Sequence, residues 1–198
     1  MDWESYLAEL EGQFADDASA ERAAVERESE RRRLARLTLA DRLRAVAADH
    51  AEVSVTTAGG HRVTGTVRIV GADWCGVDVG GGPSHCVRIA AINTMTVSPR
   101  AVSRTLLSVP EEALAARATF GYVLRGWARK RAPVRVQFTD ASIATGTIDR
   151  AGADHCDLAL HDAEEARRDG DIRTIRLAPF SAIATVVPLG GESLPVGG

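Results

Sequence analysis

Six residues have side chains a metal site would use: Cys75, His85 and Cys86 in one stretch, His155, Cys156 and His161 in another. Their spacing fits no zinc-binding pattern. Cys75 and Cys156 share strand parity with Val77, Val79, Leu158 and Leu160, which places their sulfurs among core side chains. Asp73 and Asp154 are the candidate carboxylates, each ending a Gly-Ala-Asp segment where a turn Asp can accept backbone N–H bonds. No Ser, His or second acid stands at a spacing that suggests a nucleophile or an acid–base pair. The reading is a non-enzymatic protein with no cofactor, no metal and no small-molecule substrate.

The densest charge signal is Arg125, Arg129, Lys130, Arg131 and Arg135, interleaved with Trp127. Arg125 and Arg129 are one helical turn apart and share a face, while Arg135 alternates with inward valines and points out. Such a patch either holds the phosphates of RNA or DNA or is a wet helix end whose cations favour the negative dipole terminus. The net charge of −3 conceals an asymmetry. Residues 1–30 carry ten acids and two bases, so the rest of the chain is basic and the acidic leader is able to lie over the patch and mask it. Arg31, Arg32 and Arg33 have the same two readings, a solvated helix face or a nucleic-acid contact.

These residues are positioned by a repeat. Thr64–Cys75, TGTVRIVGADWC, returns as Thr145–Cys156, TGTIDRAGADHC, and between residues 38–75 and 119–156 14 of 38 ungapped positions are identical. The chain is a tandem duplication. Trp3, Leu7, Leu10 and Phe14 give one apolar stripe, so the leader, residues 1–37, is expected to be a helical arm, solvated from Asp16 to Glu30 with pairs such as Glu28 with Arg32. The first repeat, 38–100, opens with a helix capped at Thr38 and carrying Leu39, Leu43 and Val46 inward. Five short strands follow, with Val53 and Val55, then Val63 to Ile69, then Cys75, Val77 and Val79, then Val87 and Ile89, then Ile92 to Val97. Residues 101–118 read as a linker whose short helix starts at Pro110 with Glu111 and Glu112.

The second repeat, 119–188, retraces this order. Phe120, Leu124 and Trp127 stripe its helix, and its strands carry Val134, Val136 and Phe138, then Ile148, then Cys156, Leu158 and Leu160, then Ile175 and Leu177, then Ile183 and Val186. Its third-to-fourth connection, His161–Asp171, is longer by roughly seven residues and reads as an exposed loop. The tail, 189–198, reads as disordered. Parity turns Trp74 outward, where the indole either anchors an external protein partner or packs on the arm or the other repeat. Odd cysteine usage, and the lack of an apolar stretch of membrane-spanning length or of a secretory leader, point to a cytoplasmic protein.

A helix and five strands with Gly in a bent second strand, Asp opening the third and Val-Arg-Ile before the last resemble the Sm and Sm-like family. The matching residues are Val53, Val55, Gly59, Gly60, Gly65, Val67, Asp73, Val87, Arg88, Ile89 and Ile92, and in the second copy Val134, Val136, Gly146, Ile148, Asp154, Ile175, Arg176, Leu177 and Phe180. The resemblance implies two tandem five-stranded antiparallel β-barrels, each preceded by a short helix, that associate by pairing the fourth strand of one with the fifth of another. It thereby implies that the two barrels pair with each other or that several chains join edge to edge, as self-association or protein binding through barrel edges. The RNA pocket does not carry over, because no Asn follows Asp73 at the family's position and Arg88 is followed by Ile89 instead of Gly. The whole chain also resembles uncharacterised proteins of high-GC bacteria, which implies no activity.

Overall fold

A computed structural model describes residues 3–107, 117–160, 174–190 and 194. The chain divides into two units, Met1–Thr38 and Leu39–Gly198. The first is a single helix, α1 (Trp3–Arg36). Its C-terminal turns are held by ion pairs at 2.7–3.3 Å, Glu28 with Arg31 and Arg32 on one side of the helix and Glu30 with Arg33 on the other. The arginine triplet is therefore engaged with its own helix. Trp3 and Phe14 are exposed. The side chains of Leu7 and Leu10 lie outside what the structure describes.

In the second unit, α2 (Leu39–Ala48) buries Leu43 and Val46 as its periodicity requires. It precedes β1 (Glu52–Thr57), β2 (Arg62–Val70), β3 (Trp74–Asp78), β4 (His85–Arg88) and β5 (Ile92–Val97). Ser98 caps a short helix, α3 (Pro99–Val102), by accepting from the Ala101 N–H. The segment after α3 packs back through Thr105, whose hydroxyl accepts from the Arg42 guanidinium. The helix expected at Pro110 falls outside the described residues. The second repeat supplies α4 (Phe120–Lys130), β6 (Pro133–Phe138), β7 (Ile143–Ala151), β8 (His155–Leu160), β9 (Thr174–Pro179) and β10 (Ile183–Pro188).

The starts of α2 and α4, β1 and β6, β2 and β7, and β3 and β8 are each 81 residues apart. Registers repeat as well: Val53 faces Gly65 as Val134 faces Gly146, and the ladders slip after Val67 and after Ile148. The two glycines share one reason. A Cβ on Gly65 would lie 2.1 Å from the Asp78 carbonyl oxygen, and one on Gly146 would lie 2.1 Å from that of Ala159, so the bent strand passes against bare backbone.

Two closed five-stranded barrels, Sm-like or otherwise, do not form. The ten strands make one open antiparallel sheet in the order β5-β1-β2-β3-β4-β10-β6-β7-β8-β9. β4 does not return to β5. Instead it pairs with β10, Val87 facing Thr185 and Cys86 facing Val186, and leaves β5 and β9 as the edges. The reason is that an unpaired strand edge on each repeat is satisfied by the other. Each repeat still gathers an apolar centre. One forms around Leu43, Val53, Val55, Val67, Cys75, Val77 and Val87, and the other around Phe120, Leu124, Trp127, Val134, Ile148, Cys156 and Leu158.

The fourth strand of the second repeat also corrects the alignment. Ile175-Arg176-Leu177 mimics Val87-Arg88-Ile89, but the backbone matches Val87 to Ala178 and Ile89 to Phe180. The Ile89 N–H donates to the Asp73 carbonyl (2.9 Å) as the Phe180 N–H donates to that of Asp154 (2.6 Å). The offset is thus 91 beyond the long connection, and the three-residue shift flips the face. Ala178 is buried, whereas Ile175 and Leu177 are exposed. The connection His161–Asp171 lies outside the described residues, as does most of the tail.

Candidate interaction surface

β3 and β4 have a core on both sides. Cys75 and Val87 face the centre of the first repeat, while Trp74 and Cys86 face that of the second. The alternation does turn Trp74 away from Cys75, but the far side of the strand is not water. Trp74 is fully buried and its Nε1–H donates to the Ala118 carbonyl at 2.9 Å, so it offers no anchor to an external partner. Its neighbour Asp73 accepts from the Phe120 N–H at 2.6 Å, which satisfies an orphan donor at the start of α4. The Arg88 guanidinium donates to the Phe180 carbonyl. Indole, carboxylate, guanidinium and the β4–β10 ladder together lock one repeat onto the next.

The second repeat presents the equivalent surface with nothing on it among the described residues. His155 stands where Trp74 stands, and its side chain is half exposed. Asp154 replaces Asp73 with a side chain 90% exposed and bonded only to the His155 ring at 2.8 Å, which holds its carboxyl below the usual range. Leu177 replaces Cys86 and is 69% exposed; Ile175 is 50% exposed. Among the described residues β9 pairs with β8 alone, which leaves one row of its backbone groups without a strand partner there. At the opposite end β5 pairs only with β1. Neither edge was singled out from sequence, because periodicity says which face of a strand is apolar and not which strand ends the sheet.

The basic residues are placed differently. Arg125, Arg129, Lys130, Arg131 and Arg135 are all exposed. Arg125 is tied down, donating to the Gly152 carbonyl at 3.0 Å, and Arg131 is the left-handed residue that ends α4. Trp127 is fully buried, so no indole is interleaved with the cations at the surface. Arg135 lies near His85, and burial together with that cation pushes the His85 pKa down.

Cys75, Cys86 and Cys156 are free and buried, with thiols raised by desolvation, to about 12 for Cys75 and about 11 for Cys156. They are protonated, unreactive core residues. No group of three or more His, Cys, Asp or Glu among the described residues is arranged to hold a metal. No helix among the described residues is long and apolar enough to cross a membrane. Compared with family models, curated proteins and solved structures, the chain matches none.

Proposed function

We propose that this is a non-catalytic, cytoplasmic interaction protein that assembles head to tail, the β9 edge of one copy pairing with the β5 edge of the next. One observation carries the reading: the surface the first repeat buries against the second is left open on the second, with Leu177 exposed where Cys86 is buried. In such a joint Asp154 would cap the next copy's α2 as Asp73 caps α4. The interface is heterologous, so it closes into a ring or runs on as a filament. Light scattering after gel filtration across concentration tests it. Wild type should form concentration-dependent oligomers that Leu177→Lys cuts back to a dimer or smaller, since an edge lysine opposes strand addition. A monomer at every concentration, or oligomers indifferent to Leu177→Lys, refutes it.

A second reading, nucleic-acid binding, is favoured by the exposure of the cations from Arg125 to Arg135. Binding to RNA or DNA should weaken steeply with salt and with Arg129→Glu and Arg131→Glu. Affinity that ignores both rejects it. Affinity purification with and without nuclease separates the two readings in one comparison.

A further inference from the structure

The unit formed by α1 carries a pattern that the sheet edges do not explain. Trp3, Phe14, Val25 and Arg36 recur at intervals of eleven residues, all on the helix and all exposed, the first three by 69%, 70% and 65%. Eleven residues close three turns to within about 20°, so these four lie along one face of a helix about 50 Å long. A helix with two aromatic rings and a valine this exposed along one face has apolar surface for a partner to cover.

Charge selects the cover. Within α1, residues 3–17 contain five acids, Glu4, Glu9, Glu11, Asp16 and Asp17, and no base. Residues 22–36 contain six arginines against Glu26, Glu28 and Glu30, and Glu28 and Glu30 are already held by Arg31, Arg32 and Arg33. A parallel pair of such helices would set five acids beside five acids. An antiparallel pair sets each acidic half beside a basic half.

We infer that α1 is a homodimerisation helix that pairs antiparallel with the α1 of a second copy, about a two-fold axis between residues 19 and 20. The same axis that matches the charged halves matches the large side chains. It places Phe14 opposite the second copy's Val25, Val25 opposite its Phe14, and Trp3 opposite its Arg36, an aromatic ring against a guanidinium. Charge thus sets the antiparallel sense, and the spacing of the large side chains sets the register. The interface is isologous, in contrast to the head-to-tail edges, and does not depend on them.

The test uses the full chain carrying Leu177→Lys, so that edge pairing is removed and its failure or success has no bearing on the result. Spin labels are placed at Ala20→Cys or Arg36→Cys; the three native thiols are buried and leave the introduced one to react. Pulsed dipolar spectroscopy should read an interchain distance within about 25 Å for position 20, given axes about 10 Å apart. It should read about 50 Å for position 36, given 1.5 Å per residue. Phe14→Asp should abolish both signals. No interchain signal, a short distance at position 36 as in a parallel pair, or signals that survive Phe14→Asp would each overturn the inference.

Discussion

Trp74 and His155 occupy the same place in the two repeats, and replacing each by alanine should give opposite results. Trp74 is fully buried among Cys86, Phe120 and the rest of the second centre, and its ring nitrogen donates across the seam at 2.9 Å. Truncating a buried Trp costs about 3–5 kcal/mol. The Ala118 carbonyl keeps its second donor, the Ala72 N–H at 3.0 Å, so the loss is mainly packing. For a chain of this size about 2–4 °C of Tm accompanies each kcal/mol, which predicts a fall of about 6–20 °C for Trp74→Ala. His155 is exposed and bonded only to Asp154 at the surface, so His155→Ala should stay within about 0.5 kcal/mol. Thermal and urea unfolding by circular dichroism measures both, and Trp74→Phe, which keeps an aromatic ring, serves if the alanine variant does not fold. Equal losses at the two positions, or a Trp74→Ala loss below about 1 kcal/mol, would show that the seam is not where the structure puts it.

Gly65→Ala and Gly146→Ala should each destabilise by about 3 kcal/mol, at the top of the overpacking range, because the added methyl meets backbone that cannot turn aside; denaturant midpoints check this. Asp73→Ala removes the cap on Phe120 and should cost about 1–2 kcal/mol in the same assay, whereas Asp154→Ala should change stability by less than about 0.5 kcal/mol. His85 is held below its ordinary pKa of 6.5 by burial and then by Arg135. The unfolded chain therefore binds that proton more readily, and the stability His85 contributes is present above pH 6.5 and lost as the pH falls below it. Urea unfolding between pH 7.5 and 5.5 should show the decline, and it should be shallower in His85→Gln; equal slopes would refute the assignment.

Much of the fold was legible because its signals are local. Apolar residues located the ten strands, and the duplication explains why Gly65 and Gly146, or Asp73 and Asp154, recur. What one sequence does not hold is pairing at a distance. That β4 meets β10, the fourth strand of one repeat against the fifth of the other, was expected only from the resemblance, and no residue of β4 encodes it. Trp74 shows the same limit: alternation gives the side of the strand correctly and leaves open whether a partner or the other repeat lies there, and it is the other repeat. Ile175 and Leu177 were misplaced because an apolar-Arg-apolar triplet occurs three residues before the true match. The exposed β9 surface is a difference between copies: Trp to His, which the ungapped repeat already displays, and Cys to Leu, visible only once the β9 register is known.

The seam between β4 and β10 joins Cys86 to Val186, and translation delivers the second a hundred residues after the first. At about 5–20 residues per second a ribosome takes about 5–20 s to make that stretch. Throughout that interval the nascent first repeat has a complete centre on one side and an unpaired β4 edge, waiting for the last strand of the chain. Growing chains on one message hold identical vacant sites side by side, so crowding on a polysome favours a neighbour's strand arriving first. Slow initiation, which spaces the ribosomes, protects each chain's claim to its own.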